Sequence, residues 1–156
     1  MEDLGVARVG PGRRIELARL TGWEWVNPSL SPFVLFIAAN ASTDDEATIR
    51  SFAADAVKSG CAYVCVWGPG CGFVHDVFDL ASIDADRMVM SSWHNDESLA
   101  DALWFALCDA WPDEEAFPDA AGASVALAVE EAWIAEVRRL IADQGELTRL
   151  ALGDGG

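Results

Sequence analysis

With 156 residues, 52% of them hydrophobic and seven of them tryptophan, the chain has the length of one compact domain and enough apolar surface to offset the entropy of ordering it. That length and apolar content exclude two full domains and disorder as expectations, and the formal charge of −16, whose field repels phosphate backbones, excludes nucleic-acid binding. No apolar run approaches the roughly 20 residues that cross a bilayer, and the arginine-bearing opening lacks an apolar segment of signal-peptide type; a cytoplasmic protein without membrane contact is expected.

The acidity is regional. Residues 61–137 hold fifteen acids against one base, Arg87, whereas residues 1–60 hold eight acids against six bases and residues 138–156 balance. Such a surface either serves solubility or steers a basic protein partner. Four cysteines, Cys61, Cys65, Cys71 and Cys108, occur without any C-x-x-C spacing, which removes the zinc-ribbon and thioredoxin patterns. Cys61 and Cys65 are expected on one face of a strand, roughly 13 Å apart at about 3.3 Å rise per residue, too far to bridge, and read as small buried hydrophobes.

Residues 1–14 contain glycines and few large apolar side chains, so they read as a flexible tail, as do residues 151–156; a single domain is expected over 15–150. Residues 15–20 read as an edge strand or a helical turn. The run 33–39 is apolar on both faces, the pattern of a central strand covered by helices on each side. Thr43 and Glu46 form a capping-box pattern ahead of a helix over 44–59 that ends at Gly60. A second buried strand is predicted over 62–67, stopped by Gly68-Pro69-Gly70, and a helix of about three turns opens near Cys71 or Gly72. Residues 87–93 form the third strand, and Asn95 or Asp96 caps a helix over 99–111 that is apolar nearly all round. A long amphipathic helix is predicted over 124–144.

Three strand patterns alternating with helical ones call for parallel pairing through right-handed crossovers. The expected fold is therefore α/β, a small three-layer sandwich with a Rossmann-like or flavodoxin-like parallel sheet and helices on both faces. A 2-1-3 order centred on residues 33–39 is the first choice and the linear 3-2-1 order the second.

Ligands of open parallel sheets bind beyond the carboxyl ends of the strands. Asn40, Thr43, Gly70 and Trp93 fall there as candidate ligand-binding residues, and Cys71, His75, His94 and Asp96 as candidate catalytic residues, all within one expected cleft. Cys71 at a helix start favours thiolate, and His75 or His94, oriented by an aspartate, would assist it. A shared metal set of both histidines with Cys71, Asp76, Asp96 or Glu97 has no diagnostic spacing, so no metal and no cofactor are expected. The glycine loop departs from the dinucleotide and P-loop fingerprints, with Phe73 where a third glycine belongs.

Two classes of function follow. The first is a non-catalytic acidic protein, immunity-like or antitoxin-like, that binds a basic protein partner or a second copy of itself through Trp104, Trp111, Glu114 and Glu115. The second is a small cysteine- and histidine-dependent hydrolase or transferase, or a ligand-binding domain, that uses the strand-end cleft.

Overall fold

The computed structural model describes residues 1–118 and 123–153. In chain order they form β1 (Glu2–Val6), β2 (Arg14–Arg19), β3 (Phe33–Ala38), α1 (Glu46–Lys58), β4 (Cys61–Trp67), α2 (Cys71–Asp84), β5 (Met90–His94), α3 (Leu99–Cys108), β6 (Ser124–Val129), α4 (Glu131–Ala142) and α5 (Gln144–Leu152). The strands make one six-stranded sheet in the order β1-β2-β6-β3-β4-β5. All neighbours are parallel except β1, which lies antiparallel on β2. The fold is thus α/β with a mostly parallel sheet.

Side-chain alternation divides the sheet into two buried faces. Val34 and Phe36 of β3, Val125 and Leu127 of β6 and Ile15 of β2 pack under α3, α4 and α5, with Leu103, Leu107, Val137 and Leu147 fully buried. Leu35 and Ile37 of β3 and Val64 of β4 pack under α1 and α2 through Ile49, Phe52, Val74 and Phe78. The all-apolar reading of residues 33–39 agrees with this, because β3 is covered on both faces and central between β4 and β6.

Several expectations are corrected. The strands over 33–39, 62–67 and 87–93 are parallel as expected, but they stand in linear order β3-β4-β5, so the 2-1-3 order is overturned: β6, not β5, fills the other side of β3. The long helix over 124–144 is in fact a strand, a helix and a second helix. Val125, Leu127 and Val129 face one core and Ala126 and Ala128 the other, so this segment completes the ladder between β2 and β3. After β6, Glu130 takes extended backbone angles and the helix starts one residue later. Asp143, at φ −121 and ψ 79, breaks the helix, and its side chain accepts from the Glu146 amide to start α5. Gly145, the residue just past the expected end of that helix, lies inside α5.

The opening is a strand, not a frayed tail: Gly5, at φ 90, absorbs a register shift between β1 and β2, and Arg14–Asp3 and Arg138–Glu2 ion pairs pin it down. The cap of α1 is Asp45 rather than Thr43, with no side-chain cap bond, and Thr43 is exposed. For α3 the cap is Ser98, which accepts from the Asp101 amide. A register shift at Phe33/Val34 against β4 also separates Cys61 from Cys65, so the first thiol faces the α1/α2 core and the second the α3 core, contrary to the same-face expectation.

Candidate functional site

The strand ends after β3, β4 and β5 are built by a tight glycine turn. A Cβ on Gly68 would stand 2.0 Å from the Ala39 carbonyl oxygen, and one on Gly70 would stand 2.8 Å from Ala41 and Ser42 backbone atoms. Both positions therefore need glycine for close approach as well as for positive φ. The turn consumes its own polar groups: Ala41 N donates to Pro69 O, Cys71 N to Gly68 O, and Phe73 N to Gly70 O. An anion cradle needs those amides free, so the glycines here serve backbone packing. Asn40 is likewise engaged, its backbone amide donating to Glu130 and its side-chain oxygen accepting from the Ser42 amide and hydroxyl.

A cleft of about 230 Å³ opens beyond β4 and β5, lined by Trp67, Gly68, Pro69, His94, Asn95, Asp96 and Glu97. His94 is buried against the Phe105 ring, at 4.8 Å between centroids. Its Nδ1 lies 2.5 Å from Glu97 Oε2 and its Nε2 2.9 Å from Ser92 Oγ. An ionised carboxylate only accepts, so Nδ1–H donates to Glu97, while Nε2 pairs with the Ser92 hydroxyl. Hydroxyl, imidazole and carboxylate thus stand in line.

Cys71 opens α2 beside this cleft. Burial pushes its thiol above the ordinary cysteine value; the backbone amides of His94 and Gly72 oppose that, and Asp96 adds to it. Burial wins over the helix terminus, so the thiolate expected from the sequence is not the resting form.

His75 belongs to a separate cluster. Its ring packs on Trp93, 4.5 Å between centroids, and its Nε2 lies 2.9 Å from Ser91 Oγ. Ser91 and Ser92 are consecutive on β5 and point to opposite faces, so His75 is on the α2 side of the sheet and His94 on the α3 side. The single cleft expected for Asn40, Cys71, His75, His94 and Asp96 is not formed: His94 and Asp96 line the cleft, Cys71 is buried next to it in the α1/α2 core, Asn40 is tied to Glu130 and Ser42, and His75 and Trp93 stand on the outer flank of β5. A shared metal set across both histidines is excluded by the same geometry. Sequence reasoning missed Ser91, Ser92 and Asp79. The available signals were S-x-H on a strand, which puts Ser92 and His94 on one face, and H-x-x-x-D on a helix, which does the same for His75 and Asp79.

The residues expected to meet a partner are placed as follows. Trp104 is half buried on the α3 core, and its Nε1 meets no acceptor among the described residues. Trp111 is 50% exposed and carries the Arg13 guanidinium over its ring at 5.3 Å, with Glu114 and Glu115 exposed nearby in sequence. The apolar excess of α3 is absorbed within the chain, by α5 and by Gly10, whose closest neighbours are Leu107 and Cys108 backbone atoms.

These features define an α/β protein whose mostly parallel sheet carries a polar cleft at its strand ends and an open edge at β5. The chain belongs to the family of the domain of unknown function DUF7684, whose model matches residues 16–144. No curated protein and no solved structure matches it. Among the described residues, no helix is long and apolar enough to cross a membrane.

Proposed function

We propose that this chain is a non-catalytic acidic protein of the cytoplasm, immunity-like or antitoxin-like in role, that binds a basic protein partner. Its architecture is read as a small three-layer Rossmann-like sandwich. The observation that carries the proposal is the open edge of the sheet. Among the described residues β5 pairs only with β4, so its outer side offers backbone groups outside the ladder, and Trp93, Met90, Met88 and Ile83 are exposed around it. An exposed strand edge bordered by large apolar side chains suits β-strand addition by another chain. The one base of residues 61–137, Arg87, is outnumbered there by Asp76, Asp79, Asp84, Asp86, Asp96 and Glu97, so a basic segment is attracted and a second copy of this acidic edge is repelled. Trp93, 53% exposed, is the anchor.

The test is co-purification from the native host with wild type, Trp93→Ala and Trp111→Ala, then calorimetry of the purified pair at low and high salt. The reading expects a basic partner, an affinity that falls with salt, and at least a tenfold loss in Trp93→Ala. Loss in Trp111→Ala alone would transfer the surface to Trp111, Glu114 and Glu115. A partner held equally by both variants and indifferent to salt refutes the proposal.

A second reading is favoured by one observation, the Ser92–His94–Glu97 line at the mouth of the cleft. It makes the cleft a small-molecule site with His94 as proton carrier and Asp96 on its wall. Saturable chemical-shift changes at His94 on titrating small acids, esters and amides would support it.

A further inference from the structure

The flank of α2 that faces β5 brings three ligand-type side chains to one point. His75 and Asp79 are one helical turn apart and Asp76 is adjacent, and an imidazole nitrogen and one oxygen from each carboxylate lie within 4.8 Å of one another. The protonation pattern follows from Ser91. Its hydroxyl donates to Asp79 Oδ1 at 2.8 Å, and a hydroxyl has one hydrogen to give. Towards His75 Nε2, at 2.9 Å, Ser91 Oγ must therefore accept, which places the ring proton on Nε2. In the neutral ring Nδ1 then carries a lone pair, and that lone pair faces Asp76 Oδ1 at 3.2 Å and Asp79 Oδ2 at 3.7 Å. Three acceptors converge with no donor between them. A cation at that point, a proton or a metal ion, is what balances them.

We propose that His75 Nδ1, Asp76 and Asp79 bind a divalent transition-metal ion of the zinc class. One imidazole nitrogen and two carboxylate oxygens suit such an ion, which takes mixed N and O donors. Ser91 does for His75 what outer hydrogen-bond partners do for metal-binding histidines, because it holds Nε2–H and leaves Nδ1 as the donor atom. The ring is fixed from two directions, by Ser91 and by Trp93, and the His75 side chain is only 12% exposed, so little rotamer freedom is lost on binding. Asp76 is exposed, which gives the ion a route in and leaves solvent to complete its coordination. The inference stands apart from the partner-binding proposal, although both concern the β5 edge.

The test uses the full-length protein, stripped with a chelator and titrated with zinc chloride by calorimetry at neutral pH, alongside a nitrogen-edited spectrum of the imidazoles. One equivalent of zinc is expected, with the His75 Nδ1 signal shifted and Nε2 still protonated. His75→Ala and the near-isosteric Asp79→Asn should each weaken zinc binding at least tenfold, Ser91→Ala should weaken it roughly tenfold, and Asp84→Asn, an exposed acid on the same helix, should leave it unchanged. Absence of stoichiometric uptake, equal loss in Asp84→Asn, or a His75 ring that keeps both protons and ignores zinc would overturn the proposal.

Discussion

Alanine at Gly68 tests whether the strand-end turn is built on backbone contact. Both Gly68 and Gly5 have positive φ, +115 and +90, so a side chain at either costs roughly 1–2 kcal/mol of conformational strain. The gain from stiffening the unfolded chain, about 0.4–1 kcal/mol, is common to both. They differ in space: a Cβ on Gly5 meets nothing within 4 Å, whereas on Gly68 it stands 2.0 Å from the Ala39 oxygen. To make room, the turn must withdraw from β3, and that stretches the Ala39 N to Trp67 O bond of 3.1 Å and the Ala41 N to Pro69 O bond of 2.7 Å. Two such bonds contribute about 1 kcal/mol each. Gly68→Ala is therefore expected to cost about 2 kcal/mol more than Gly5→Ala, and its Tm to lie lower by about 4–8 °C at this chain size. Urea unfolding of the two variants beside wild type reads the difference directly. Equal midpoints at equal m-values would refute the steric argument and leave the glycine turn free for another role.

Alkali should unfold the protein through its buried thiols. Burial pushes Cys61 up to about 12 from its ordinary value of 9.0 and Cys108 to about 11, and raises Cys65 as well. A raised folded-state value means stability is intact below pH 9 and is lost as pH rises from 9 towards 12, so urea midpoints should fall across that window and fall less steeply in Cys61→Ala. Cys71, also raised by burial, should react with iodoacetamide at pH 7 more slowly than a free thiol, measured by mass spectrometry of the labelled peptide. Arg13 is 2% exposed, and its Nε and Nη2 meet no acceptor among the described residues, while burial lowers its pKa. Arg13→Met, which keeps the packing and removes the desolvated charge, should leave the urea midpoint unchanged or raise stability by up to about 2 kcal/mol.

What the sequence revealed of the fold depended on whether one physical pattern dominated each segment. Residues 33–39 carry large apolar side chains on both faces, which only a doubly covered strand satisfies, and β3 is that strand. Residues 124–129 are Ser-Val-Ala-Leu-Ala-Val, where alternating valine, leucine and alanine fit a strand, yet alanine and leucine also favour a helix, and the true amphipathic helix follows directly. The choice was made by tertiary structure: the gap between β2 and β3 has a full set of unpaired ladder groups, and β6 fills it. β1 was hidden for the opposite reason. An edge strand with Glu2, Asp3 and Gly5 buries little, and what holds it is its ladder with β2, the packing of Leu4 and ion pairs to Arg14 and Arg138, partners that lie across a turn or far off in sequence.

The site was legible by position and illegible by side. The strand-end rule drew attention to the edge where the cleft lined by His94 and Asp96 opens, because that rule depends only on parallel pairing. Which face of β5 each histidine addresses depends on the parity of its serine partner, and parity is fixed only when the strand's limits are known. The expected strand over 87–93 and the observed Met90–His94 differ at both ends, enough to leave His94 outside one and as the last residue of the other. With His94 on the strand, Ser92 shares its face and Ser91 faces the other way towards His75 and Asp79. One polar edge thereby becomes two separate hydrogen-bonded clusters, Ser92, His94 and Glu97 beside a cleft and Ser91, His75 and Asp79 on an acidic flank. The same parity places Trp93 with the second, so the exposed anchor of the proposed interface and the proposed metal ligands lie side by side on β5 and α2.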